Sequence, residues 1–104
     1  MTALPQIDAA FHHPARLQIA AVCARVDEIE FATLRDILQV SDSVLSKHLS
    51  AMSDAGYIGL RKAKSEGRQR TWAAFTRKGK RAFAKHMQAL RDLANAAQQA
   101  VAAE

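Results

Sequence analysis

The sequence predicts a mainly α-helical fold with one small β-hairpin, and two observations support that class. Apolar residues recur at helical spacing in four segments of the chain. Two short β-like runs, residues 57–64 and 70–76, lie between the third and the fourth of these segments. The chain has 104 residues, of which 49% are hydrophobic. We therefore expect one folded domain with a single modest core rather than a disordered chain.

The first helix is predicted in the segment HPARLQIAAVCARV, which begins at His13. Pro14 suits the first helical position, because the N–H group that proline lacks has no partner there in any case. An i, i+3, i+4, i+7 stripe follows and is expected to face the core: Leu17, Ala20, Ala21 and Ala24. Residues 4–11 are expected to add a turn or a short helix before it.

A short second helix is predicted in the segment FATLRDIL. Its expected buried face consists of four apolar residues: Phe31, Leu34, Ile37 and Leu38. The segment QVSD then turns the chain toward the third helix.

The third helix is predicted to run from about Asp42 to Ala55. Ser41 suits its N-cap, because a serine hydroxyl accepts a hydrogen bond from a free N–H group of the first turn. Three apolar residues at i, i+4, i+7 should face the core: Leu45, Leu49 and Met52. Gly56 is expected to end the helix in the left-handed conformation that glycine adopts easily.

The hairpin is predicted from the runs YIGLRKAK and RTWAAFT, which the segment SEGRQ separates. We expect a mobile, charged tip, because five residues are too many for a tight two-residue turn. Simple alternation places Ala73 and Phe75 inward and Trp72 outward with Arg70. Trp72 is then free to pack against another helix, to lie at a dimer contact or to flank the hairpin, and the sequence does not choose among these.

The last helix is predicted to begin after Thr76 and to run nearly to the end of the chain. Steps of four and three along it form a narrow apolar seam: Phe83, Met87, Leu90, Ala94, Ala97 and Val101. At 1.5 Å per residue the helix would be roughly 35–40 Å long and would project beyond so small a domain. We expect this seam, with help from Leu17 on the first helix, to form a homodimer contact.

Three helices, a hairpin and a long helix in this order form the winged helix-turn-helix arrangement. We expect one domain over residues 1–104, with a winged-helix core at about 14–76 and a dimerisation helix at about 77–103.

The polar face of the third helix is unusual in its composition. Ser43, Ser46, Lys47 and Ser50 share one face at i, i+3, i+4, i+7. A merely solvated face would favour Glu, Lys and Arg, which form helices better than serine does. A low, hydroxyl-lined surface instead suits a helix that lies in a DNA major groove roughly 12 Å wide.

The charge of the chain is unevenly distributed. Residues 57–85 carry ten Lys or Arg and one acid, whereas residues 1–56 carry four Lys or Arg and seven acids. Such a basic half attracts a polyanion, although a solvated basic surface is the simpler alternative.

Three segments resemble MarR-like and ArsR-like winged-helix transcriptional regulators. VSDSVLSKHLSAMSDAGYI, residues 40–58, resembles their recognition-helix segment. RTWAAFTRKGKRAF, residues 70–83, looks like their second wing strand and the entry to their last helix, and HHPARLQIAAVCA looks like their opening helix. The resemblance covers roughly residues 11–87, and it is specific because the three strings occur in the right order.

The resemblance implies a DNA-binding homodimer whose recognition helices enter successive major grooves. The candidate DNA contacts on the third helix are Asp42, Ser43, Ser46, Lys47 and Ser50. Those on the hairpin, or wing, are Lys62, Lys64, Arg68 and Arg70. Related proteins hold small ligands between the dimerising helices and the DNA-binding lobe. An effector is therefore an expected partner, although no residue set here identifies it.

Several alternatives stay open at this point. Asp42 either accepts from a cytosine amino group or only favours the helix dipole. The domain could bind an acidic protein instead of DNA, or it could bind DNA without sequence preference. No catalytic constellation or phosphate-binding glycine loop is present, so we expect neither enzymatic activity nor a cofactor.

The cysteine and histidine content argues against two sensing functions. His12, His13, His48 and His86 lack the spacing of a metal site, and His48 is expected to pack or hydrogen-bond at a helix junction. Cys23, the one cysteine, is a redox-switch candidate or, more commonly for its type, a buried structural residue. No segment is apolar enough for a membrane span, so a cytoplasmic protein is expected.

Overall fold

The computed structural model describes residues 6–103 of the chain. Its elements in chain order are a 3₁₀ turn Ala9–Phe11, α1 Pro14–Cys23, β1 Ile29–Glu30, α2 Phe31–Leu38, α3 Asp42–Asp54, β2 Ile58–Ser65, β3 Arg68–Phe75 and α4 Arg77–Ala102. This order confirms the predicted winged helix-turn-helix fold. The 3₁₀ turn confirms part of the extra turn expected before α1; positions 4 and 5 of that expectation lie outside the described residues.

Side-chain caps begin α3 and α4 at the predicted positions. Ser41 Oγ accepts from the N–H of Val44 at 3.2 Å, and Thr76 Oγ1 accepts from the N–H of Gly79 at 2.9 Å. Each bond satisfies one of the backbone donors that the first turn of a helix leaves free. Gly56, with φ of 80°, ends α3 in the predicted left-handed conformation.

One core lies between α1, α2, α3 and the root of the hairpin. Its buried members are Phe11, Ile19, Ala20, Cys23, Ile29, Leu34, Leu45, Leu49, Met52, Ile58 and Ala73. The three predicted core residues of α3 are among them, which confirms the orientation of that helix.

The predicted buried faces of α1 and α2 need correction. Ala20 is buried as predicted, but Ala21 and Ala24 are exposed, and α1 buries Ile19 and Cys23 in their place. More than one apolar stripe fits this alanine-rich helix, and only the packing of the neighbouring elements decides which one is covered. Ile37 of α2 was expected inside but is 55% exposed.

The hairpin turn also differs from the prediction. β2 and β3 pair along their full lengths, from Ile58 opposite Phe75 to Ser65 opposite Arg68. Glu66 and Gly67 close the turn with φ of 53° and 74°. Two positive φ values are the signature of a tight type I′ turn, whose twist matches the paired strands. The expectation of a longer tip was wrong because the strands extend into the segment SEGRQ.

A short strand that the sequence did not reveal completes the sheet. Ile29 pairs with Ala73 and Glu30 pairs with Trp72, antiparallel, so β3 lies between β1 and β2. Two residues are too few to show alternation, and only the packing of the loop before α2 makes this strand visible.

The long α4 has two unlike halves. Its first turns pack on the core, where Phe83 contacts the ring of Phe11 edge-on and His86 is 3% exposed. Gly79 permits this packing, because an added Cβ would overlap the backbone carbonyl of Tyr57. At about 1.5 Å per residue, 26 residues extend for roughly 39 Å. The domain accordingly measures 61 × 26 × 21 Å. Among the described residues, no helix is both long and apolar enough to cross a membrane.

Candidate nucleic-acid interface

Buried side chains hold α3 in place on the core. Leu45 and Met52 are fully buried, Leu49 is 2% exposed and His48 is 6% exposed. His48 Nδ1 accepts from Arg16 Nε of α1 at 3.1 Å, as expected for a residue at the helix junction. Anchors spread over the length of the helix fix both its position and its rotation.

The opposite face of α3 is open to solvent. Ser43, Ser46, Lys47 and Ser50 are all exposed, and their side chains form the low polar surface that the sequence indicates. Ser43 Oγ lies 3.2 Å from Ser41 Oγ, so the cap and the first turn share a hydroxyl pair. The exposed hydroxyls can donate and accept hydrogen bonds, which suits both base edges and phosphate oxygens.

Asp42 lies at the N-terminus of α3 and forms an ion pair. Its Oδ1 accepts from Arg35 Nη1 at 3.0 Å, and Arg35 Nε also donates to Asp36 at 3.1 Å. The two carboxylates raise the pKa of the Arg35 guanidinium, chiefly through the hydrogen bond to Asp42. The Asp42 side chain is still 69% exposed. Both hypotheses for Asp42, base contact and helix-dipole partner, are therefore compatible with its place.

The sequence did not single out Arg35, although it lies beside the start of α3. Arg35 is one of the residues that line a cleft between α2 and β3, together with Arg68 of the wing. Arg35 and Asp42 are seven residues apart and separated by a turn, so no sequence pattern predicted their contact.

The wing carries three exposed cations near its tip. Lys62, Lys64 and Arg68 are exposed. Because residues opposite each other in antiparallel strands share a face, Lys62 and Lys64 lie with Thr71 and Gln69, whereas Arg68 lies on the other face. The tip thus presents positive charge on both sides of the hairpin.

Arg70 differs from the other predicted wing contacts. Its side chain is 25% exposed, and its Nη1 donates to both carboxylate oxygens of Glu30, at 2.9 and 3.0 Å. It also reaches the carbonyl of Ser65 at 3.4 Å and the carboxylate of Glu66 at 3.5 Å. These contacts tie β3 to β1, so Arg70 has a structural role, and its contact with DNA stays a prediction.

Trp72 lies half-buried on the same outer face of the sheet. The Arg61 guanidinium stacks over its ring at 5.6 Å, and Arg61 Nη2 donates to Glu28 at 2.7 Å. Trp72 therefore flanks the base of the wing, which is one of the three roles left open by the sequence. Glu28 and Glu30 are the acids that pair with Arg61 and Arg70. The sequence did not reveal the strand at Ile29–Glu30, so it did not predict these pairs.

The predicted dimer residues are only partly covered within one chain. Leu17, Phe83, Met87 and Leu90 are half-buried, and Phe83 already packs against Phe11 and Phe75. Farther along α4, Ala94, Ala97 and Val101 are exposed, and Val101 is 71% exposed. Leu93, half-buried beside the seam, was not among the predicted residues.

The structure gives little support to sensing chemistry at Cys23. The thiol is buried, and burial raises its pKa to about 11. Since the thiolate is the reactive form, such a cysteine is inert near neutral pH. Within residues 6–103, no three His, Cys, Asp or Glu side chains come together in an arrangement able to hold a metal ion.

Comparison with known families assigns the chain to a class of domain. A family profile described as "Winged helix DNA-binding domain" matches residues 15–94 of the chain. The chain belongs to this winged helix DNA-binding family. The match spans α1 to the second half of α4, so it includes the exposed face of α3 and the whole wing.

Related proteins extend this winged helix assignment. The uncharacterized protein MJ0432 of Methanocaldococcus jannaschii is 30% identical over 73 residues, which cover 70% of this chain and 79% of that protein. A transcriptional regulator homologue from Pyrococcus horikoshii has a similar structure, with a TM-score of 0.79 and 18% identity over 84% of this chain and 86% of that one.

A second similar structure is the heme sensor protein PefR from Streptococcus agalactiae, solved in complex with heme. Its TM-score is 0.69 at 19% identity, covering 82% of this chain and 59% of that one. At 18% and 19% identity these structures confirm the winged helix fold, and the MarR-like resemblance stays a prediction. The ArsR-like resemblance stays a prediction.

Proposed function

We propose that the protein is a sequence-specific DNA-binding transcriptional regulator that acts as a homodimer on a pseudo-palindromic operator. One observation carries the proposal: the short polar face of Ser43, Ser46, Lys47 and Ser50 is exposed while the opposite face of α3 is fully anchored. A helix held this firmly, with so little bulk on its outer side, fits a major groove and can read base edges there.

The wing supplies the non-specific part of the proposed interaction. Lys62, Lys64 and Arg68 would contact phosphates beside the groove that α3 occupies. Such contacts orient the domain on the duplex but carry no sequence information of their own. Under this proposal α3 contacts the bases and the wing contacts the phosphate backbone of the DNA.

The exposed end of α4 supports the homodimer. Ala94, Ala97 and Val101 continue the apolar seam beyond the domain, where one chain leaves them open to water. A second copy would cover this strip, since a seam with steps of three and four suits helix-to-helix packing. Two-fold symmetry would then place two half-sites about one helical turn apart, roughly 10 bp centre to centre.

Selection from a random duplex pool tests the central proposal. We expect a two-fold symmetric motif and a selected duplex that binds at least about 1,000-fold more tightly than a random one at moderate salt. Equal binding of both duplexes would indicate an architectural DNA binder. No binding even at low salt would favour the alternative of a module that binds an acidic protein.

Sedimentation equilibrium tests the homodimer separately. Ala94→Glu with Ala97→Glu places two charges in the seam, and we expect the chain to become monomeric. Asn95→Glu with Gln99→Glu adds the same charge on the far side of α4 and should stay dimeric. All four residues are exposed, so neither variant disturbs the core. A dimer that survives the first variant would place the interface elsewhere.

An effector is a further part of the proposal. A cleft of about 450 Å³ lies between residues 6–8, Tyr57 and the first turns of α4. Lys78, Arg81 and Lys85 line it and would favour an anionic ligand. We therefore expect an effector, where one exists, to be an acid.

A further inference from the structure

The contact between α1 and the recognition helix depends on two histidines in a defined protonation state. His48 of α3 is 6% exposed, and its Nδ1 accepts from Arg16 Nε at 3.1 Å. The ring of His13 lies against it, with 4.5 Å between the ring centroids. His13 in turn caps α1, because its Nδ1 accepts from the N–H of Ala15 at 3.0 Å.

Both hydrogen bonds exist only while the imidazole nitrogen is unprotonated. A neutral histidine offers one acceptor nitrogen, whereas the imidazolium ion offers two donors and no acceptor. Protonation of His48 would therefore turn an attractive contact with Arg16 into two donors and two positive charges facing each other.

We propose that Arg16 and His48 are positioning residues for the recognition helix, and that acid disrupts their contact and thereby weakens operator binding. Arg16 belongs to α1, and His48 is next to Lys47 on α3. The hydrogen bond between Arg16 and His48 therefore links the exposed polar face of α3 to α1. The regulatory part of this inference rests on the proposed DNA-binding function; the protonation chemistry does not.

The surroundings of His48 determine the direction of the pH effect. Burial lowers the pKa of His48 below its usual value, and the nearby charges of His13, Arg16 and Lys47 lower it further. A histidine whose pKa is lower in the folded chain than in the unfolded chain stabilises the fold above the unfolded value of about 6.5. That contribution is lost as the pH falls from about 6.5 toward the folded value.

The variant His48→Asn tests the inference, because its Oδ1 can accept from Arg16 but does not titrate. Urea unfolding at pH 7.5 and 5.5 should show that the parent loses up to about tenfold in its folding equilibrium constant through this site. His48→Asn should remove that part of the loss. His12→Asn, at an exposed histidine, should keep it. Equal pH dependence in the parent and in His48→Asn would overturn the inference.

A second pair of measurements separates positioning from simple stability. Operator affinity, measured where each protein is fully folded, should fall severalfold in the parent as the pH passes below the His48 pKa found by imidazole NMR, and should stay level over the same range in His48→Asn. Arg16→Gln keeps a donor without a charge, so the midpoint of the profile should rise toward 6.5. A flat profile in the parent would refute the positioning role, whereas no operator binding at any pH would instead refute the proposed function.

Imidazole NMR signals of the parent provide a test that needs neither DNA nor a variant that folds. The His48 signal should titrate below the ordinary histidine pKa of about 6.5. His86 is also buried with a lowered pKa, but it lies on α4, and its Nδ1 accepts from the N–H of Asp8. His86→Asn therefore serves as a control that should leave the pH profile of operator binding unchanged. A His48 signal that titrates at or above 6.5 would contradict the proposed contact.

Discussion

The recognition helix and the wing carry candidate DNA contacts of similar chemistry, but they are held in different ways. Four side chains of α3 are buried: Leu45, His48, Leu49 and Met52. The outer half of the wing buries none, and the sequence of β2 beyond Ile58 is exposed or half-buried throughout. A tight turn and the Arg70–Glu30 ion pair hold the wing instead.

This difference teaches how the two regions can divide the work of binding. Because α3 is fixed by packing, its hydroxyls stand at set positions, which is what the discrimination of base edges requires. The wing presents exposed cations on a thin hairpin, and under the proposed function these would contact phosphates with a contribution that depends strongly on salt. We therefore expect substitutions in α3 to change specificity and substitutions in the wing to change the salt dependence.

The largest effect is expected from a larger side chain on the exposed polar face of α3. Ser46→Leu should weaken operator binding by about 100-fold or more. A helix that cannot enter the groove loses most of the difference in affinity between the operator and a random duplex. The exposed position should leave the free energy of unfolding within about 0.5 kcal/mol of the parent.

Fluorescence anisotropy and urea unfolding measure the two quantities. Gln69→Leu adds the same side chain to the exposed wing and should cost far less affinity. Full affinity in Ser46→Leu would mean that α3 does not lie in the groove.

A smaller effect is expected from the wing cations. The double variant Lys62→Ala with Lys64→Ala should reduce the slope of log affinity against log salt by about 2, because each phosphate that a cation neutralises adds roughly 0.9 to that slope.

Lys47→Ala should also weaken operator binding. It should reduce the salt slope if Lys47 contacts a phosphate, or the ratio of specific to non-specific affinity if Lys47 contacts guanine. Titrations at several salt concentrations, on operator and random duplexes, separate these outcomes. An unchanged salt slope in the double variant would mean that Lys62 and Lys64 do not contact DNA phosphates.

The smallest effect is expected at the turn of the wing. Gly67→Ala should destabilise the domain by about 1–2 kcal/mol, because φ of 74° is strained for a residue with a Cβ. Gly59→Ala is the matched control: an added Cβ meets nothing within 4 Å and its φ is ordinary. Urea unfolding should show the control within about 1 kcal/mol of the parent. Equal destabilisation of both variants would argue against the tight turn.

Local signals predicted much of the fold. The bounds of α2 and nearly all of α3 followed from apolar spacing, the Ser41 cap and the stop at Gly56, and the start of α4 followed from the Thr76 cap, because each of these signals acts within a few residues of itself. The exposed serine face of α3 was predictable for the same reason, since the helical period fixes which residues oppose Leu45 and Leu49.

The failures share a different physical origin. The covered face of α1, the strand at Ile29, and the hydrogen bonds of Arg70 with Glu30 all depend on partners 20 or more residues away or on a choice between equivalent stripes. The turn at Glu66 was missed because charged residues extend the strands, and only pairing with the opposite strand shows that they do.

The sequence by itself therefore determined the bounds of α2, nearly all of α3 and which polar face α3 would present, because hydrogen bonds and side-chain periodicity within one segment decide such features. Tertiary structure alone decided which wing cations remain free, which half of α4 leaves the core, and which charges meet His48. Those outcomes depend on distances between segments far apart in the chain, and no local pattern encodes them.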